Sequence, residues 1–292
     1  MPKMMRSRKN TPSATVALLI LALLAVPLAA QETPGKKPGL KQAARDFVED
    51  TGRIWSSPFR IKERHVGPLI ALAATTAFLI AVDEDIRGAF QGYVDHHPWV
   101  DDFGPAVTQM GSLGAAAAAG LFFGAGFLFK DDRARDTGYL AVCAMAQSFL
   151  VEQALKGLTG RQRPFAADGE DHWSGPAGFF KRYDPDYDGL YDSFPSGHST
   201  MAFSLATVVA LQYRHTTWVP VLAYTIAAGV GLTRVTMDRH WMSDVVIGAV
   251  IGHLVARLVV RSHTRRQRLV PVLGCSGRGI TLGFHYNLDP VY

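Results

Sequence analysis

Six apolar runs dominate the sequence between residues 66 and 260: Val66 to Val82, Ser112 to Phe129, Gly138 to Leu155, Ser199 to Gln212, Trp218 to Leu232 and Val245 to Val260. A chain with this pattern has two ways to hide its surface. The runs can cross a bilayer, where ~20 residues span the hydrocarbon comfortably and shorter lengths are tolerated inside a packed bundle. Alternatively, they can be the buried helices of a soluble all-α domain. The Gly- and Ala-rich second run permits close helix approach. Hydrophobic residues make up 48% of the 292, and mean hydropathy is +0.08, high for a soluble protein and modest for a membrane one. The fold class is all-α, and the expected architecture is a six-helix transmembrane bundle.

The ends of these runs hold the chemistry. Lys156-Gly-Leu-Thr-Gly-Arg-Gln-Arg163-Pro164 closes the third run with well-spaced cations, and Phe194-Pro195-Ser196-Gly197-His198-Ser199 opens the fourth with a histidine. Between the fifth and sixth runs lies Thr233-Arg234 through His240 to Asp244. If a helix starts near His240, Asp244 sits one turn on, on the same face, where its carboxylate can fix the imidazole tautomer. Arg234 adds a planar, permanently charged fork suited to phosphate oxygens.

Lys, six residues, Arg-Pro; then Pro-Ser-Gly-His; then Arg, five residues, His, three residues, Asp: this order resembles the three-part signature of the type 2 phosphatidic acid phosphatase superfamily. That superfamily also includes bacterial class A acid phosphatases and vanadium haloperoxidases, and the resemblance covers roughly residues 66 to 260. Thr233 departs from it, since the family often has Ser before the arginine. The resemblance implies a metal-independent phosphatase without cofactor. His240 would be the nucleophile, forming a phosphohistidine, and Asp244 would orient it. His198 would protonate the leaving oxygen and then activate water. Lys156, Arg163 and Arg234 would cradle the phosphate, with Ser196 and the Gly197 amide as further donors. Substrates implied are lipid phosphates or pyrophosphates of the undecaprenyl diphosphate, phosphatidate or phosphatidylglycerophosphate class. Alternatives are a soluble periplasmic broad-specificity acid phosphatase, a lipid phosphotransferase and a vanadate-holding haloperoxidase.

Other residues read as structural. Glu152, four residues before Lys156, is placed to pair with it along a helix. Asp83, Glu84 and Asp85 cap or flank the end of the first run, and His96, His97 and His172 are loop residues. Arg161 and Asp238 lie near the signature without a matching position in it. Cys143 is a small buried apolar residue, and two cysteines form no disulfide framework. The net charge of +5 comes from clustered basic residues and does not point to nucleic acid.

Lys3, Arg6, Arg8 and Lys9 precede an apolar stretch from Ala14 to Val26 and then small residues, the pattern of a secretory signal peptide or an N-terminal anchor over residues 1–30. Residues 31–65 form a polar linker with an amphipathic piece, Ala43 to Trp55. Trp55 and Phe59 beside Arg60, Lys62 and Arg64 suit either a membrane interface or a surface helix. The main helical domain covers 66–260, and 261–292 is a basic tail whose alternating Ile280, Leu282, Phe284 and Tyr286 read as a β-hairpin. Residues 165–194 form a polar, turn-rich lid or selectivity loop. Its Asp184, Asp186, Asp188 and Asp192 imitate the start of a calcium loop but lack the closing Glu.

Basic residues after the second run (Lys130, Arg133, Arg135), after the fourth (Arg214) and at the end of the sixth (Arg257 to Arg268) favour a cytoplasmic location. The site then faces the periplasm from a bacterial inner membrane. A cleaved signal or anchor inverts that parity if all six runs span, so the two signals conflict. Oligomeric state has no signature in the sequence.

Overall fold

The computed structural model describes residues 40–167, 173–180, 191–276 and 279–286, with the backbone alone from 268 onward. The expected signal or anchor segment, the first part of the linker, His172 and most of the calcium-like pattern lie outside the described residues.

Nine α-helices make up the described bundle: α1 (Leu40–Ser56), α2 (Glu63–His96), α3 (Trp99–Gln109), α4 (Leu113–Leu128), α5 (Asp132–Thr159), α6 (Gly175–Phe180), α7 (Gly197–Gln212), α8 (Trp218–Thr236) and α9 (Met242–Arg268). All six apolar runs fall on helices. Three helices, α2, α8 and α9, are long and apolar enough to cross a membrane, and the pair α3 and α4, bent by 44°, passes the same test as one broken span. The other runs fall short for two reasons. The α5 helix carries Asp132, Arg133, Arg135, Asp136, Glu152 and Lys156 along its 28 residues, and α7 is only 16 residues long. A helix surrounded by other helices does not need an uninterrupted apolar surface, because its neighbours rather than lipid satisfy its polar groups.

The α7 helix is the centre, packed against α5, α8 and α9. Its small residues allow this. Gly248 and Gly252 of α9 lie so close to α7 that a Cβ would fall 2.6 Å from the Ser196 carbonyl oxygen and 2.2 Å from that of Thr200. The core continues through Val208, Val209, Val219, Val230, Ala256 and Val259. The α5 helix starts on an Asp131 cap that accepts from the Ala134 amide at 3.1 Å, and stops at Gly160 in the left-handed conformation, φ +50°. That stop puts Lys156 in its last turn.

The α2 helix is packed differently. Only Asp83 and Val94 are buried along it, while Leu69, Ile70 and Phe78 are exposed. Its most apolar 18-residue window has no buried residue. An apolar surface of this length left largely uncovered by protein is the form of a lipid-facing helix, since water makes such a patch costly.

The amphipathic α1 packs on the far end of α9, where Arg266 binds the Asp50 carboxylate through two bonds of 2.8 and 2.9 Å and reaches Asp46 at 3.4 Å. Beyond α9, strands β1 (Leu269–Ser276) and β2 (Gly279–Tyr286) pair antiparallel, Leu269 opposite Tyr286 and Ser276 opposite Gly279.

Candidate active site

The three signature stretches converge at one end of the bundle: the C-termini of α5 and α8, the N-termini of α7 and α9, and the segment 191–196. Backbone bonds lock this end. Ser196 N–H donates to the Asp244 carbonyl at 3.0 Å and Ser199 Oγ donates to the Val245 carbonyl at 2.8 Å, so the starts of α7 and α9 are held together. The amides of Arg239 and His240 both donate to the Arg234 carbonyl, at 3.0 and 3.1 Å, which turns the chain at the end of α8 and delivers His240 inward. His240 is 2% exposed.

The imidazole is oriented by two partners. Its Nδ1 lies 2.9 Å from the Ser193 carbonyl oxygen and 3.5 Å from Asp244 Oδ2. A carbonyl only accepts, so Nδ1 carries the proton and Nε2 holds the lone pair. The sequence places this duty on Asp244 alone, with the helix starting near His240. The helix instead starts at Met242, and the shorter bond is the one to Ser193. Asp244 is committed elsewhere: Oδ2 accepts from Ser193 Oγ at 2.5 Å and from the Trp241 amide at 3.0 Å, and Oδ1 accepts from Arg161 Nη1 at 2.7 Å. It caps α9 and fixes Ser193, which in turn holds the imidazole.

The cations surround this ring. Lys156 Nζ pairs with Glu152 at 2.8 Å, the partner its spacing indicates. Arg163 Nε bonds Asp192 Oδ1 at 2.6 Å. Arg234 is buried and its Nη1 donates to Thr108 Oγ1 of α3 at 2.8 Å. Burial, followed by the charges of Arg163, Arg234 and Lys156, pushes the His240 imidazole well below its usual range, keeping the ring neutral. Burial works to raise the Asp192 carboxyl, but the Arg163 hydrogen bond and charge hold it below its ordinary value.

Among the buried polar atoms without a partner in the described residues are Ser196 Oγ and Arg234 Nε. Burying a donor without a bond costs ~1–3 kcal/mol, and both belong to residues expected to hold a phosphate. Gly197 begins α7, and a Cβ there would sit 2.9 Å from Glu152 Oε1, so a larger residue would push aside the carboxylate that pairs with Lys156. His198 stands half-buried in the first turn of α7, backed by the α3–α4 turn, where a Cβ on Gly111 would meet the His198 carbonyl oxygen at 2.8 Å. A buried neutral imidazole with a free lone pair, three cations and unpartnered donors make a pocket suited to a tetrahedral oxyanion and to nucleophilic attack on it.

Residues 137–268 match the model of the PAP2 superfamily. The chain belongs to that superfamily. A lipid A 1-phosphatase from Porphyromonas gingivalis is 30% identical over 251 residues, 82% of this chain and 48% of that protein, so the chain spans about half the length of this relative. Phosphatidylglycerophosphatase B from Bacillus subtilis is 27% identical over 199 residues, 65% of this chain and 88% of the relative. The fold resembles the crystal structure of a transmembrane PAP2 type phosphatidylglycerolphosphate phosphatase from Bacillus subtilis, with a TM-score of 0.51 at 23% identity over 67% of this chain and 96% of that one.

Around the PAP2 signature the structure adds residues that sequence reasoning set aside. Arg161, without a signature position, is fully buried, lying over the rings of Trp173 and Trp241 with its guanidinium carbon 4.7 and 5.1 Å from their centroids. It bonds Asp83 Oδ2 at 2.8 Å as well as Asp244. Asp83, read as flanking a run end, is 1% exposed and part of this network. Asp238, with φ +56°, binds Arg87 of α2 through two bonds of 2.8 Å. Asp192, the last carboxylate of the calcium-like pattern, pairs with Arg163 instead. One signal was available: a second arginine two residues before Arg163 repeats the cationic pattern, but its partners lie on α2 and α9.

Proposed function

We propose that this membrane protein is a metal-independent phosphatase acting on lipid phosphates or pyrophosphates through a phosphohistidine on His240, with its catalytic domain over residues 66–260. The observation that carries the reading is the pocket itself: a neutral His240 with Nε2 free, and the unpartnered donors of Ser196 and Arg234 beside Lys156 and Arg163. His240 Nε2 attacks phosphorus as the P–O bond to the lipid breaks, and His198 gives its proton to the leaving oxygen. His198 then takes a proton from water, which attacks phosphorus, breaks the P–N bond and releases inorganic phosphate. Lys156, Arg163 and Arg234 balance the oxygens' charge, with the Gly197 amide at the start of α7 adding a donor. Asp244 stabilises the positive ring.

The lipid class rests on the exposed apolar surface of α2 and on relatives named for lipid phosphatase activities. Substrates considered are undecaprenyl diphosphate, phosphatidate, phosphatidylglycerophosphate and lipid A 1-phosphate. The chain would cross the membrane six times, α3 and α4 acting as one pass and α5 and α7 as shielded ones. The turns bearing Lys130, Arg133, Arg135 and Arg214, and the end of α9, lie at the opposite end of their helices from the site. The positive-inside bias therefore favours a periplasmic site in a bacterial inner membrane, with α1 on the cytoplasmic side. There Trp55 and the 89% exposed Phe59, beside Arg60, Lys62 and Arg64, would sit among headgroups.

The test is phosphate release by detergent-purified protein from undecaprenyl diphosphate, phosphatidate and a small soluble phosphoester, with EDTA present and His240→Ala alongside. Histidine-dependent release favouring the lipids, inhibited competitively by vanadate, is expected. Equal or better activity on the soluble ester would move the reading to a general acid phosphatase, and abolition by EDTA would overturn metal independence.

A further inference from the structure

Asp83 lies on α2, outside the residues that match the PAP2 model, yet it is buried against the third signature stretch. Its Oδ1 accepts from the Ser243 amide at 3.0 Å, and its Oδ2 accepts from Ser243 Oγ at 2.5 Å and Arg161 Nη2 at 2.8 Å. Ser243 Oγ also accepts from Arg161 Nη1 at 2.6 Å, and the same nitrogen donates to Asp244 Oδ1 at 2.7 Å. A chain of four side chains therefore runs from α2 to the residue beside His240. A surface-facing apolar helix would not otherwise bury a carboxylate at 1% exposure, because an unpaired ion there is strongly disfavoured.

We propose that Asp83 is a positioning residue for the His240 nucleophile: by engaging Arg161 and Ser243, it leaves Asp244 with negative charge to spend on the ring as the ring becomes positive. This rests on the phosphohistidine reading above. Asp83, when ionised, contributes one negative charge to the cluster, and Arg161 is shared between it and Asp244. Without Asp83 the cluster carries one negative charge fewer, and Arg161 draws more strongly on Asp244. The other charged groups that act on His240 are Lys156 from α5, Arg163 and Asp192 from the flanking segments and Arg234 from α8, with the His198 ring on α7 close to the same cations. The three cations oppose the positive ring that attack on phosphorus creates, while the Asp192 carboxylate favours it. The negative charge of the buried cluster adds to that of Asp192 in offsetting the cations. The bonds to Ser243 have a second effect, fixing the first turn of α9 and hence the carboxylate of Asp244.

A purely structural role and a charge-setting role separate in the pH dependence. In the full-length detergent-purified protein, phosphate release from phosphatidate is measured as kcat and KM across the acid limb, where His240 must shed its proton to attack. Asp83→Asn, nearly isosteric, is expected to lower kcat about 10- to 100-fold with KM within about threefold of the parent. It should also move the acid limb of kcat to lower pH by about one unit, since a cluster with one negative charge fewer stabilises the protonated ring less. The double variant Asp83→Asn with Arg161→Gln removes one negative and one positive charge together, restores the parental net charge around Asp244 and should return the limb towards its parental position.

An acid limb at the parental pH in folded Asp83→Asn overturns the proposal, whatever the loss in melting temperature. Should that variant not fold, Asp83→Glu carries the test: it keeps the charge, so its limb must stay at the parental pH, and a displaced limb refutes the assignment. Release that persists in His240→Ala would sink the phosphohistidine reading itself. An active parent, an inactive His240→Ala and an unmoved limb in Asp83→Asn would remove this inference alone.

Discussion

Replacing Asp244 by asparagine turns one carboxylate oxygen into an amide NH2 and removes the charge at a fully buried site, and the structure says what the nitrogen meets in either placement. Oδ2 accepts from the Trp241 amide and Ser193 Oγ, and Oδ1 accepts from Arg161. If the new amide nitrogen takes the place of Oδ2, it faces the Trp241 N–H, donor against donor. If it takes the place of Oδ1, it faces a guanidinium. Neither flip satisfies all partners, and the buried Arg161 loses one of its carboxylates while keeping Asp83. Breaking a buried ion pair from one side costs about 3–5 kcal/mol, and the surviving Asp83 bond places this case near the lower figure. The rate should fall further than stability implies. The carboxylate that balances the positive ring is lost and Ser193, whose carbonyl holds Nδ1, is loosened, so kcat should drop about 100- to 10,000-fold, as loss of an imidazole-orienting carboxylate does elsewhere. Vanadate affinity should change by no more than about threefold, because Lys156, Arg163 and Arg234 remain. The assays are thermal unfolding in detergent, phosphate release and vanadate inhibition on one preparation. An Asn variant as stable as the parent and within about twofold in kcat would refute the argument that Asp244 is both a cap and the ring's counter-charge.

Ser196→Ala removes a buried hydroxyl with no bond inside the fold, so melting temperature should hold or rise while orthophosphate inhibition weakens about tenfold, the worth of one bond to a charged group; unchanged inhibition would place Ser196 outside the phosphate site. Gly252→Ala puts a Cβ 2.2 Å from the Thr200 carbonyl oxygen, a backbone atom that cannot step aside, and should cost about 1–3 kcal/mol despite the better helix propensity of Ala. Denaturation that is unaltered in that variant would mean that α7 and α9 part more easily than their packing indicates. Burial and neighbouring cations depress the His240 pKa in the fold, so the unfolded chain binds a proton there first as pH falls below the ordinary imidazole value of about 6.5. That contribution to stability is present above this value and lost below it, and His240→Gln should flatten the fall in melting temperature on acidification; an identical slope in both proteins would show that the ring is not held neutral.

Much of the candidate site was legible because its members are spaced along single helix ends. Lys156 and Arg163 bracket a helix stop, Ser196 to His198 straddle a helix start, and Glu152 finds Lys156 one turn along the same helix. Local spacing reports such relations directly, since one turn of helix brings residues four apart together. The number of stand-alone membrane spans was less legible, because a run on α5 or α7 reads alike whether lipid or another helix covers it. The pairing of Arg161 with Asp83 is illegible for a similar reason: they are separated by 78 residues, and Asp83 and Ser243 by 160.

The sequence by itself determined the helical class, the positions where helices stop and start, and which residue types stand at those ends, because each follows from periodicity, caps and neighbours a few residues away. Only the tertiary structure decided that α2 presents its apolar surface outward while turning one carboxylate inward. It likewise decided that the Ser193 carbonyl makes the shorter bond to the His240 ring, and that Asp244 reaches it through a shared network. Those outcomes depend on how helices cross and which backbone atoms meet at α7, and a crossing is set by packing between distant segments, which no local pattern records.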